Sequence, residues 1–189
     1  MLANTTKEKI VELGRGFIQH GGYHQFNYKQ IATELNIKNA AIHHYYPSKE
    51  DLGLAVIEKD KQYFEQMNKR VEDKIPMEKI EALFKIYYDY FNDGNKICII
   101  GTFSSAYNEI PEKIQKGAKD YLELVNKWLI TTFESGRKSG HFKFKGTAKD
   151  LADFWVATLT GAIQIGRIRG AGYFRQILKN LKMTLDSDC

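Results

Sequence analysis

The chain has 189 residues, a net charge of +5 and only 3 prolines. That length can bury a sizeable core as one large or two small domains. With few alternating β-branched runs it reads as all-α, no run of eighteen apolar residues marks a membrane span, and MLANTTKEK lacks the apolar core of a signal peptide, so a cytoplasmic protein is expected.

In chain order, Thr5 with Glu8 forms a capping-box pattern. Ile10, Leu13, Phe17 and Ile18 then make an apolar stripe that runs to Gly21 and Gly22. Phe26 closes the small core beneath it. Residues 27–52 read NYKQIATELNIKNAAIHHYYPSKEDL and split into two short helical patterns. Asn27 stands where an N-cap acceptor belongs, and Tyr28 to Leu35 carries Ile31, Ala32 and Leu35 on one face. Asn36 tolerates the left-handed conformation that ends a helix. Ile37 plugs the gap, and a second helix runs from Asn39 to Tyr46, stopping before Pro47. Helix, tight turn and short helix make a helix-turn-helix, whose second helix is built to enter a DNA major groove.

The residue types at that second helix fit the task. Asn39, Ala40 and Ala41 open it with little bulk, as a close approach to base edges needs. An amide pairs with adenine, and an alanine methyl touches a thymine methyl. Ile42 turns to the core, and His43, His44, Tyr45 and Tyr46 form a polar-aromatic group. Ser48 caps a long helix carrying Leu52, Ala55, Val56, Tyr63 and Met67, which is read as ending near Ile75-Pro76. Lys49 is at the wrong end of that helix for its dipole. A phosphate there would account for it, and a solvated helix start is the plainer alternative. Residues 1–60 balance seven basic against seven acidic side chains, so Lys29, Lys38 and Lys49 matter by placement rather than by bulk charge. The basic excess lies downstream, partly in GRKSGHFKFKG at 136–146.

From Pro76 the composition turns aromatic. Leu83, Phe84, Tyr87, Tyr88 and Phe91 mark a helix ending at NDGN. An apolar helix follows from Ile97 to Tyr107, then a long one from Glu112 to about Ser135. Thr147 with Asp150 caps the helix DLADFWVATLTGAIQIGRIRG, and a last helix runs from about Gly172 to Leu185. The span 151–168 is apolar nearly all round, as a core or interface helix is. Trp155, Thr158, Ala162 and Ile165 are read as lying on or beside a face that packs across a dimer, with Gly161 and Gly166 spaced for close helix approach.

The run IATELNIKNAAIHHYYPSKEDL resembles the DNA-binding domain of the TetR/AcrR family of bacterial transcriptional regulators. It has Ile31-Ala32, the small residues Asn39 to Ala41, the stretch His43 to Tyr46, the pair Ser48-Lys49, and Leu52. It departs from that pattern with Asn36 in place of the usual turn glycine, and with Lys38 where Ser or Thr often caps the recognition helix. The resemblance implies a DNA-binding domain over 1–47 and a helical ligand-binding and dimerisation domain over 48–189. It implies a homodimer through a four-helix bundle of the last two helices, a palindromic operator of double-stranded DNA, a small-molecule effector and a repressor's sign. DNA contacts fall on Lys29, Lys38, Asn39, Ala40, Ala41, His43, Tyr45 and Lys49. A pocket between the middle helices falls on Tyr87, Tyr88, Phe103, Tyr107, Trp128 and Phe154.

Cys98 joins that set: a thiol in the first turn of an apolar helix beside Lys96 can have a lowered pKa, and the resemblance, through a similar Cys-aliphatic-aliphatic-Gly stretch, implies a thiol that responds to electrophiles or oxidants. The commoner reading of such a cysteine is a small buried hydrophobe. Cys98 and Cys189 lie far apart, a reduced-compartment pattern rather than a disulfide framework. No nucleotide-binding, hydrolase or zinc-protease motif is present, so no enzyme, metal or cofactor is expected. A DNA-binding helical scaffold or co-regulator without a small-molecule ligand is the alternative to a sensor.

Overall fold

The computed structural model describes residues 5–186, so the residues MLAN and Cys189 lie outside it. The described residues hold nine α-helices and one 3₁₀ turn. These are α1 (Thr6–Gly21), α2 (Tyr28–Leu35), α3 (Asn39–Tyr45), α4 (Lys49–Arg70), α5 (Pro76–Asn92), α6 (Ile99–Ser105), the 3₁₀ turn Tyr107–Glu109, α7 (Glu112–Lys138), α8 (Ala148–Arg169) and α9 (Ala171–Met183). The all-α class is as read from the sequence, and no described helix is long and apolar enough to cross a membrane.

Local chemistry sets the starts of the first helices. Thr5, Asn27 and Ser48 each accept from the backbone N–H three residues on, and Glu8, Gln30 and Asp51 reach back to complete capping boxes. Each such cap stabilises its helix by about 0.5–2 kcal/mol. Asn36 ends α2 in the left-handed region at φ 51°. Lys38 precedes α3 without any side-chain cap, so the weak sequence signal there is a real one.

Several ends differ from the sequence reading, and local hydrogen bonds, with one tertiary partner, explain them. α4 stops at Arg70, well before Ile75, where the Val71 N–H is shared between the Met67 and Asn68 carbonyls. Pro76 opens α5 instead, since a first-turn position needs no N–H donor. α6 is shorter than expected at both ends. The Ile97 N–H is taken by the Gln19 carbonyl of α1, and Ser104 and Ser105 bond back to the carbonyls of Gly101 and Thr102.

A small core of Ile10, Ile18, Phe26, Ile31 and Ile42, none more than 1% exposed, unites α1, α2 and α3. α4 leaves this core with Leu52 seated on Gly14 of α1, where an added Cβ would lie 3.3 Å from the leucine. The larger core joins α5, α7, α8 and α9. In it the Trp155 ring stacks on Phe84 at 5.5 Å and its Nε1–H donates to Thr184 at 3.0 Å. Gly166 lets α8 approach so closely that a Cβ there would meet Phe91 at 2.8 Å. Trp155 and Ala162, read from sequence as interface residues, therefore face the interior of the protomer at 0% and 3% exposure. Thr158 is half-buried and Ile165 is exposed. The helix has two apolar arcs, and the arc holding Trp155 is the inner one.

Candidate nucleic-acid interface and effector cleft

α3 is anchored by Ile42 and by Tyr28, whose hydroxyl donates to the carbonyls of Tyr46 and Ser48. That one phenol ties the end of α3 to the start of α4. Burial pushes its pKa up to about 12. With the inner face pinned, Lys38, Asn39 and Ala40 are exposed, and Ala41 is half-exposed. Lys29 is exposed one helix earlier. No hydrogen bond or ion pair among the described residues holds the side chains of Lys29, Lys38 or Asn39. His43 Nδ1 lies 3.3 Å from the Pro47 carbonyl, with its ring edge-on to Tyr28. Tyr45 is 40% exposed beside His44. Lys49 differs from the rest. Its ammonium donates to the His24 carbonyl at 3.2 Å and lies over the rings of Phe26 and Tyr23, and partial burial lowers its pKa.

The outer face of α8 is a second surface. Phe154, Ala157, Gly161, Ile165 and Ile168 fall within one arc at heptad-like spacing. Phe154 is 51% exposed, Ile165 44% and Ile168 87%, and a Cβ on Gly161 would meet nothing within 4 Å.

A cleft of about 370 Å³ opens between α4 and α5, with Arg15 of α1 and Tyr121 of α7 completing its walls. Its inner end is polar. Arg15 Nε–H donates to Asp60, and Arg15 Nη2 donates to the Tyr90 hydroxyl at 3.1 Å. The guanidinium also lies over the Tyr63 ring at 5.0 Å. Burial pushes the Asp60 carboxyl above the usual carboxylate range, against the pull of the adjacent guanidinium. Phe64 separates this cleft from an internal void of about 20 Å³ beside Cys98 and from an outer groove of about 460 Å³ beside Trp128.

The pocket residues read from sequence scatter around this arrangement. Tyr87 and Cys98 share the small void, and Trp128 packs edge-on to Phe64 from the outer groove, its Nε1–H donating to Asn68 at 2.7 Å. Tyr88 leans on Phe174, on another side of α5. Phe103 is wholly buried against Tyr23, Tyr107 is 47% exposed, and Phe154 faces outward. Cys98 is the N-cap of α6 and its sulfur accepts from the Gly101 N–H at 3.3 Å. Burial pushes its thiol pKa up, and Lys96 is turned away to Asp93, so the lowered pKa suggested by sequence is not found. Arg15, Asp60, Phe64, Tyr90 and Tyr121 were missed as cleft residues. Asp60 could have been found, because it falls on the buried stripe of Val56, Ile57 and Phe64.

Residues 10–56 match the family model of bacterial regulatory proteins, tetR family. The crystal structure of a TetR transcriptional regulator from Legionella pneumophila is 30% identical with a TM-score of 0.89, over 98% of this chain and 100% of that one. A TetR-family transcriptional regulator from Agrobacterium tumefaciens is 26% identical with a TM-score of 0.89, over 96% of this chain and 97% of that one. The fatty acid metabolism regulator protein of Bacillus subtilis (strain 168) is 24% identical over 132 residues, 68% of each chain.

Proposed function

The chain belongs to the tetR family of bacterial regulatory proteins, transcriptional regulators rather than enzymes, and from that premise we propose a dimeric repressor that a small molecule releases from a palindromic operator. The observation that carries the proposal is the cleft, because its walls come from both halves of the chain: Arg15 from α1, and Tyr90 and Tyr121 from α5 and α7. A molecule bound there is sensitive to how α1 and α4 sit on the rest of the protein. Its binding must then shift that seating, and operator binding must shift its affinity in return.

Two copies joined through the outer arc of α8 would present two α3 helices to successive major grooves, about 34 Å apart. Asn39, Ala40 and Ala41 would read bases, with Lys29, Lys38, His43, Tyr45 and Lys49 placed for the backbone around them. For Lys49 this requires giving up the His24 carbonyl. The joint that would move is clasped by Arg167 of α8, which donates to the carbonyls of Gln19 and His20 at 3.0 Å each. Beside it the Gln19 side-chain amide is fully buried and meets no hydrogen-bond partner among the described residues.

Sequencing the genomic fragments retained by the purified protein at moderate salt tests the reading. A near-palindrome should emerge, and small apolar molecules that raise the melting temperature should elute it. Retention without sequence enrichment would overturn the operator assignment. An operator that no stabilising molecule releases would leave a DNA-binding scaffold in place of the sensor.

A further inference from the structure

Resting on the reading of a dimer paired through α8 on a palindromic operator, we infer that Arg167 is a positioning residue for DNA binding. It sets the seating of the α1–α3 unit against the pairing helix, and through it the spacing between half-sites that the dimer accepts.

One guanidinium joins three segments here. Arg167 Nε–H donates to the Asn95 carbonyl at 2.6 Å, and Nη2 donates to the carbonyls of Gln19 and His20 at 3.0 Å each. Gln19 and His20 lie in the last turn of α1, where carbonyls lack donors within the helix. A cation there also meets the negative end of the helix dipole. The Gln19 carbonyl takes the Ile97 N–H as well, so the end of α1 is held against the segment that follows α5. Asn95 is itself fixed in that segment, left-handed at φ 56° with its N–H on the Phe91 carbonyl. Because the fork is planar and rigid, bonds made by two of its nitrogens to separate segments fix direction as well as distance.

The place of Arg167 on α8 gives the clasp its consequence. Glu12 and Arg15 tie α1 to Tyr63 and Asp60 of α4. Among the described residues, the hydrogen bonds that join α8 directly to α1 are those of Arg167. Ile165 and Ile168, on either side of it in sequence, belong to the exposed outer arc. Arg167 points about a third of a turn away from the centre of that arc. One stretch of α8 therefore carries the pairing face on one side and the tether to α1 on another. In a two-fold dimer any tilt of α1 against α8 occurs in both copies, so it enters the separation of the two α3 helices twice. One base pair moves a half-site by about 3.4 Å and by about a tenth of a turn. A seating fixed by the fork resolves that step, whereas a seating left to α4 lets the α1–α3 unit pivot.

The test uses the full chain on selected operators whose spacer is lengthened or shortened by one base pair. The parent should lose at least about tenfold in affinity on each altered spacer, the scale of one mismatched base pair. Arg167→Lys keeps the cation but loses the fork, and Arg167→Gln keeps a donor but loses the charge. Arg167 is exposed, so neither change opens the core. Both variants should bind the three spacers about equally, with parental affinity for an isolated half-site. A merely structural arginine would lower the melting temperature and leave the spacing preference as it was, and that result overturns the inference while keeping the dimeric operator. A parent indifferent to spacing overturns it with no variant needed. A parent that binds as a monomer, or selects no paired half-sites, sinks the inference and the operator reading together.

Discussion

Gly161→Glu separates folding of the protomer from its pairing. Gly161 lies at the middle of the outer arc of α8, between Phe154 and Ile168, and a Cβ built on it meets nothing within 4 Å. Within one protomer the change should help. Glycine inside a helix costs about 0.8–1.0 kcal/mol relative to alanine, and glutamate is nearly as good a helix former, so roughly 0.5 kcal/mol of stabilisation is expected. Across a two-fold interface the sign reverses, because both copies bring the carboxylate to the same seam. An uncompensated buried charge costs about 3–5 kcal/mol. One such cost alone raises the dimer dissociation constant more than ~100-fold. Sedimentation equilibrium over a wide concentration range should show a dimer for the parent and for Gly161→Ala, and a monomer for Gly161→Glu. Diluted below the parent's dissociation constant, the glutamate variant should melt no lower than the parent. An unchanged dimer would place the contact elsewhere. A monomer that melts several degrees lower would mean that Gly161 is needed by the protomer. Ala162→Glu, one residue along, is the wrong probe, since Ala162 is 3% exposed and its loss would report on the core.

Asn39→Ala should cost about 1–3 kcal/mol of operator affinity and relax base preference at one position of each half-site, as seen by repeating the DNA selection; an unchanged preference would remove Asn39 from base reading. Tyr28→Phe leaves the Tyr46 and Ser48 carbonyls without their donor and should destabilise by about 1–3 kcal/mol in chemical denaturation. The Tyr28 hydroxyl titrates at about 12 in the fold against 10.0 in the open chain. Its contribution is thus complete below pH 10 and lost as pH rises from about 10 to about 12, so the variant should lack that share of the alkaline decline. Cys98 should react with iodoacetamide more slowly in the native protein than in the unfolded chain at neutral pH, measured in a Cys189→Ser background. Operator release by mild electrophiles that Cys98→Ser abolishes would contradict that picture of an inert, buried thiol.

What could be read from the sequence is local, and what could not is set by partners far along the chain. Capping at Thr5, Asn27 and Ser48 depends on residues three positions away, so those helix starts are written in the sequence. Asn36 adopts its left-handed conformation for reasons internal to one residue. The start of α6 and the seating of Cys98 depend instead on Gln19 and Thr160, which no window around Cys98 contains. On α8, periodicity finds two apolar arcs but cannot say which is inner, because Trp155 and Ile165 are equally apolar. Only the match of Phe84, Gly166 and Phe91 across helices fixes the phase. The cleft is hardest, since aromatic content pointed to Tyr88, Phe103 and Phe154, rings used to fill or face other surfaces. A buried ion pair leaves a different mark, a charge on an apolar stripe. Asp60 is such a charge on α4, and its partner lies 45 residues earlier on α1. A carboxylate held inside a helix stripe needs a cation from elsewhere, because alone it would cost several kcal/mol. Searching α1 for the one basic residue on its inward side leads to Arg15, and with it to the cleft where α1, α4 and α5 meet.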